Sequence, residues 1–150
     1  MKKEEKAAPF APREFVIDGN RITFSPLPLC TLQMVTELTK RLGLDMEGNT
    51  LHGIILAAKE KAKMMRTIVA LYATKGKATA PNVTRNYILL EKCPPCKLAT
   101  LLTAGIIANG EWIDLVRAKA AEVDFSAISE EEYFEKPFVE LITEKRTCQE

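Results

Sequence analysis

Glu91-Lys92-Cys93-Pro94-Pro95-Cys96-Lys97-Leu98 is the stretch whose reading decides the fold. Two thiols three positions apart can form a redox disulfide or donate half of a zinc site, while two prolines can end one helix and start the next. The neighbours choose among these. A thioredoxin-type motif needs a strand before the first thiol and a βαβ pattern around it. The preceding segment, Asn82 to about Lys92, instead places Val83, Tyr87 and Leu90 at helical spacing. Pro95 suits the first turn of a following helix that carries Leu98, Leu101, Leu102 and Ile106. The stretch reads as a corner between two helices, with both cysteines as small, partly buried residues.

Working outward, the same helical period recurs on both sides. Thr31 can cap a helix with Leu32, Val35, Leu38 and Leu42 on one stripe, stopped near Gly43. From Asn49 or Thr50, Leu51, Ile55, Ala58, Ala62, Met65, Val69 and Tyr72 step by threes and fours, which predicts one helix of about six or seven turns. Residues 76–81 read as a loop ending at Pro81. Beyond the corner, Asn109-Gly110 reads as a helix end, and Trp112, Ile113, Val116, Ala120 and Val123 as another amphipathic helix. Ser129 with Glu132 three positions on is a capping-box pattern, and Pro137 divides or kinks the last helix.

Only one segment has the period of a strand. Phe15, Ile17, Ile22 and Phe24 alternate with Val16, Arg21 and Thr23 around Asp18-Gly19-Asn20, whose residues tolerate a tight hairpin turn. A lone hairpin is marginal in water, so it must pack on helices or pair with another strand. The fold class expected is mainly α, with an N-terminal β-hairpin followed by a bundle of about five or six helices. Residues 1–13, with mixed charge, alanine and two prolines, read as a flexible arm, and 14–150 as a single domain.

Composition sets the outer bounds. The chain has 150 residues, 47% hydrophobic and 27% charged, which fits one globular domain with a real core. No apolar run approaches the ~18 residues of a membrane span, and no apolar segment follows the charged N-terminus as in a signal peptide. A cytoplasmic location with reduced thiols is expected, with no membrane partner. Net charge is +1, so no global field draws the chain to nucleic acid. Charge is unevenly placed, however. Lys59, Lys61, Lys63, Arg66, Lys75, Lys77 and Arg85 face only Glu60, giving +6, whereas the segment from Glu122 to Glu150 carries −6. Such asymmetry belongs to two solvated helix faces, to head-to-tail self-association, or to a basic face for an acidic partner.

Candidate sites are few. A structural zinc site wants four ligands, so Cys93 and Cys96 would need Cys30 or Cys148; His52 is the only histidine. No serine or cysteine at recognisable spacing makes His52 a base, and it reads as structural or solvent-facing. Glu130-Glu131-Glu132 falls in a first helical turn, where negative charge favours the helix dipole. Lys75-Gly76-Lys77 lacks the glycine spacing of a phosphate-binding loop. The basic segment could contact a nucleic-acid backbone, but only Tyr72 and Tyr87 accompany it. Trp112 and Phe10 could anchor a protein partner, although Trp112 among Ile113 and Val116 reads as core. No catalytic residue or cofactor is expected, and a small zinc- or thiol-dependent protein using Cys93 and Cys96 stands as an alternative beside the nucleic-acid-binding one.

The opening module, Phe15-Val-Ile-Asp-Gly-Asn-Arg-Ile-Thr-Phe24 followed by Pro26-Leu27 and Thr31-Leu32-Gln33-Met34, resembles the start of small phage and prophage tail-associated proteins. Leu98-Ala99-Thr100-Leu101-Leu102 and Gly110-Glu111-Trp112-Ile113-Asp114-Leu115-Val116 are similar to the later part of the same group. Tail assembly chaperones are its best-known members. The resemblance implies a non-enzymatic protein that binds an elongated tail component or itself, as a homo-oligomer. The double proline with flanking cysteines departs from the group, and no functional residue is implied.

Overall fold

The computed structural model describes residues 10–17, 19–43 and 51–145, with backbone alone at Leu51 and His52. Its element order begins with strands β1 (Arg13–Ile17) and β2 (Asn20–Phe24). Helices α1 (Leu29–Arg41), α2 (Leu51–Glu60), α3 (Ala62–Tyr72), α4 (Ala80–Leu89) and α5 (Pro95–Ala120) follow. A 3-10 turn at Phe125–Ala127 leads to α6 (Glu130–Glu135) and α7 (Phe138–Glu144). The protein is mainly α, with an N-terminal hairpin and seven helices among the described residues.

The strands pair antiparallel with Phe15 opposite Ile22 and Ile17 opposite Asn20. Gly19 takes φ +82°, the left-handed backbone that closes this two-residue connection. Asp18 lies outside the described residues. Ile22 and Phe24 are buried, and the rings of Phe15 and Phe24 lie 5.4 Å apart. Phe24 in turn meets Tyr72 of α3 edge-on at 6.3 Å. The hairpin is thus held by helices on its apolar face. Phe10 also packs against this core, and residues 1–9 lie outside the described residues.

α5 is the axis of the bundle, with α2, α3 and α7 packed against it. Its 26 residues span about 39 Å. Leu98, Leu101, Leu102, Trp112 and Val116 are buried along it. The helix runs straight through Asn109-Gly110, which was expected to end it. Packing on both sides explains this: Ala108 and Trp112 are buried, and the Asn109 amide donates to the Gly105 carbonyl at 3.1 Å. At Gly105, α5 packs directly against Tyr72 of α3. A Cβ built there would stand 2.9 Å from Cγ of Tyr72, whereas one at Gly110 meets nothing within 4 Å.

The long periodic segment expected from residue 49 or 50 to Tyr72 divides into α2 and α3 at Lys61, whose φ is −129° and ψ 49°. No glycine or proline marks the break. Hydrogen bonds reach Lys61 from both sides, Lys61 N–H to Ala57 O at 2.8 Å and Met65 N–H to Lys61 O at 3.0 Å. The apolar period therefore passes through a single departing residue. Thr31, expected to cap α1, lies inside its first turn instead. It is buried, and its hydroxyl has no partner among the described residues. The N-terminal boundary is set by Pro28, whose carbonyl accepts from Leu32 N–H at 2.9 Å. α4 likewise starts earlier than Asn82, because the Thr79 hydroxyl accepts from Asn82 N–H and Pro81 fits the first turn.

Pro94 and Pro95 act as the sequence suggests. Pro94 is the extended residue before α5, Pro95 opens the helix, and Leu98 N–H bonds the Pro94 carbonyl at 2.9 Å. α4, not a strand, leads into the corner, so the arrangement a thioredoxin-type motif requires does not form there. Further on, Ser129 and Glu132 make a complete capping box. Pro137 separates α6 from α7, and the Phe138 N–H reaches back to the Leu27 carbonyl at 2.9 Å beside a Pro28–Pro137 bridge. Prolines have no N–H, so this bridge depends on their neighbours.

Candidate functional site

The structure brings some of the sequence-derived site residues together and separates others. Cys93 is buried, with its N–H on the Leu90 carbonyl at 3.0 Å, while Cys96 is exposed in the first turn of α5. Cys30 is half-buried on α1, and Cys148 lies outside the described residues. Among the described residues no group of three or more His, Cys, Asp or Glu side chains is placed to hold a metal ion. His52 lies on α2, and its side chain is outside the described set.

The basic segment splits into two groups. Lys59, Lys61, Lys63 and Arg66 gather about the α2–α3 corner, and Lys75 and Lys77 sit on the loop at the other end of α3. Lys63 and Arg66 lie in the first half of α3, so the six residues from Arg66 to Tyr72, about 9 Å of helix, separate the first group from the loop. Arg66 stacks over the Tyr87 ring at 5.3 Å and donates to its hydroxyl at 3.2 Å. Lys61 donates to the Leu42 carbonyl at 3.5 Å, and Arg85 to the Asn82 side chain at 3.4 Å. The Lys77 ammonium lies 5.8 Å from the centre of the Phe134 ring on α6. None of the seven cations makes an ion pair with a carboxylate among the described residues.

The acidic end is partly neutralised within itself. Lys145 pairs with Glu132 at 3.2 Å, and Lys136 pairs with Glu144. The hydrogen bond from the Ser129 backbone, then the Lys145 ammonium, holds the Glu132 carboxyl below its usual range. The bond to Glu144 pushes the Lys136 ammonium up. A shallow groove of about 670 Å³ runs here, lined by Ser129, Glu131, Glu132, Glu135, Lys136 and Lys145. Glu130, Glu131, Glu135 and Glu140 are exposed and make no ion pair among the described residues.

Trp112 is core, only 2% exposed, and Arg13 from β1 lies over its ring at 5.5 Å while pairing with Glu111. Sequence reasoning left Arg13 in the arm; its position two residues before Phe15, in step with the alternation, was the available signal. Large apolar side chains also remain at the surface. On the outer side of α5, Ile107 is 50% and Leu115 57% exposed, and Leu56 on neighbouring α2 is 47% exposed. α1 is flanked by two shallow, mainly apolar grooves of about 370 and 400 Å³, one floored by Cys30, Met34 and Leu38, the other by Leu32, Ile113 and Phe138. Tyr133 closes the first by donating to the Gln33 side chain; burial, with Cys30 beside it, raises its hydroxyl pKa.

The described residues thus present three surfaces: exposed apolar side chains on α2 and α5, a cationic corner and an acidic layer. No helix among the described residues is long and apolar enough to cross a membrane. Comparison with known protein families, with curated proteins and with solved structures finds no match to this chain.

Proposed function

We propose that this protein is a non-enzymatic protein–protein interaction protein working in phage or prophage tail assembly, as its resemblance to tail assembly chaperones implies. The observation that carries the reading is the outer face of α5, where Ile107 and Leu115 stand half or more exposed beside Leu56 of α2. Large apolar side chains left exposed on two packed helices offer a partner apolar surface among the charged residues of α5. A partner that buried the three side chains, each already about half buried, would remove their remaining apolar surface from water, worth roughly 1 kcal/mol apiece. Co-expression with candidate tail-tube and tape-measure proteins tests this. The expected result is a stable complex that Ile107→Asp with Leu115→Asp abolishes while the helical circular dichroism is unchanged. A chain that binds no tail component and stays monomeric at every concentration removes the reading.

A second reading, a nucleic-acid-binding module, is favoured by the seven cations of 59–85 that lack carboxylate partners among the described residues. It requires retention on DNA or RNA that weakens steeply with added salt. Absence of retention at low salt removes it.

A further inference from the structure

We infer that the cationic corner formed by Lys59, Lys61, Lys63 and Arg66 docks the acidic α6–α7 layer of a second copy of this chain, joining copies head to tail. The inference rests on the protein-binding reading and names a partner and a surface for it. The corner lies where α2 meets α3, and Glu60 is the single acid in that stretch. Lys59, Lys61 and Lys63 are exposed, and Arg66 is fixed in place by the Tyr87 ring and hydroxyl. Its charge is thus held in place before any partner arrives.

The matching surface is on the same molecule but out of reach. Contact between the basic segment and α6 is made at the far end of α3, by Lys77 on Phe134. Arg66 stands about 9 Å of helix before the end of α3 and the three lysines farther back, beyond ion-pair distance of that contact. Glu130, Glu131, Glu135 and Glu140 are exposed at the acidic end, and aromatic side chains lie among them. Tyr133 and Phe134 meet edge-on at 5.1 Å, and Phe125, 49% exposed, stacks on Phe138 at 6.5 Å. An aromatic surface rimmed by charge is the ordinary make-up of a protein interface.

Two observations favour a second copy over nucleic acid as the occupant. The +6 and −6 segments balance, leaving a net charge of +1, so a polyanion drawn to the corner is repelled by the other end. The two surfaces also differ in position as well as sign. In the head-to-tail arrangement each added copy leaves one corner and one acidic layer open, and growth does not stop at a dimer.

Light scattering across concentration at low and high ionic strength, on the full chain, reads this directly. The expected mass exceeds that of a dimer at low salt and falls toward the 16.7 kDa monomer as salt screens the contact. Lys59→Glu with Lys63→Glu, and separately Glu131→Lys with Glu135→Lys, should each weaken association by roughly tenfold or more. All four positions are exposed, so circular dichroism should be unchanged. Mixing the two variants should restore assembly, because each then carries the charge the other lacks. A strict monomer at low salt, association that neither salt nor either reversal weakens, or no recovery on mixing overturns the inference. So does retention of a single-stranded oligonucleotide by the corner without self-association. Failure of the unmutated chain to self-associate, beside an intact complex with a tail component, overturns this inference alone; failure of both overturns the reading beneath it.

Discussion

The contact between α3 and α5 and the layer made by α6 and α7 are held by different forces. In the first, Tyr72 lies against a glycine, Trp112 is buried, and the close approach is a matter of shape. In the second, α7 buries Val139, Leu141 and Ile142, and to this packing α6 and α7 add a capping box, two ion pairs and a backbone bond to Leu27. A packed interior resists salt and moderate pH, and it fails when volume is changed. The caps and ion pairs on its outer side respond instead to solution conditions. The molecule thus pairs a rigid axis with an outer layer that its environment can loosen.

Emptying the axis should have the largest effect. Trp112→Ala removes a side chain that is 2% exposed and should cost about 3–5 kcal/mol, read by urea denaturation. A loss under 1 kcal/mol would mean that the contact is not tightly packed.

Alkali should strike the same region next. Burial pushes the Tyr72 hydroxyl up to about 12 from the ordinary 10. Below pH 10 the folded and unfolded chains both keep that proton. Between pH 10 and 12 the unfolded chain releases it first, so stability falls by up to about 3 kcal/mol. Tyr72→Phe should lack this part of the alkaline loss.

Two glycines of one helix sharpen the contrast further. Gly105→Ala drives a methyl onto the Tyr72 ring and should cost about 1–3 kcal/mol, despite alanine's better helix propensity. Gly110→Ala meets open space and should gain up to about 1 kcal/mol. Thermal melts of the pair decide it; equal shifts would remove the argument from shape.

Effects in the outer layer should be smaller and depend on solution conditions. Ser129→Ala deletes one half of the capping box and should cost about 1 kcal/mol. The lowered Glu132 pKa gives stability that is present above the usual glutamate range and lost as pH falls through the depressed folded value. Glu132→Gln should therefore flatten the acid limb of the stability curve. It should leave the Tyr72 part of the alkaline limb unchanged.

The features legible in the sequence are those with a local cause. The hairpin was written in alternation and Gly19, the start of α5 in Pro95, the cap of α6 in Ser129 and Glu132, and the final break in Pro137. The misread features are set by tertiary contact. Asn109-Gly110 looks like a helix end until α5 is seen to be clasped on either side of it. Lys61 carries no breaking residue, and the apolar period runs through it unchanged. Thr31 has a capping side chain in a position where burial, not capping, is imposed. The candidate surfaces were legible only as charge counts. That the basic segment divides into a corner and a distant loop follows from how α3 is placed against α4 and α6, and composition carries no trace of that.

The bond from Phe138 to Leu27 has a consequence for how the chain is made. It joins the entrance of α1 to the start of α7, across nearly all the residues between. During synthesis the hairpin and α1 leave the ribosome first, yet the Leu27 carbonyl gains its partner only when α7 has emerged. Until then the junction between hairpin and helices stays open at its edge. A chain cut short before Pro137 would carry every element of the axis and still lack the bond that closes its opening turn.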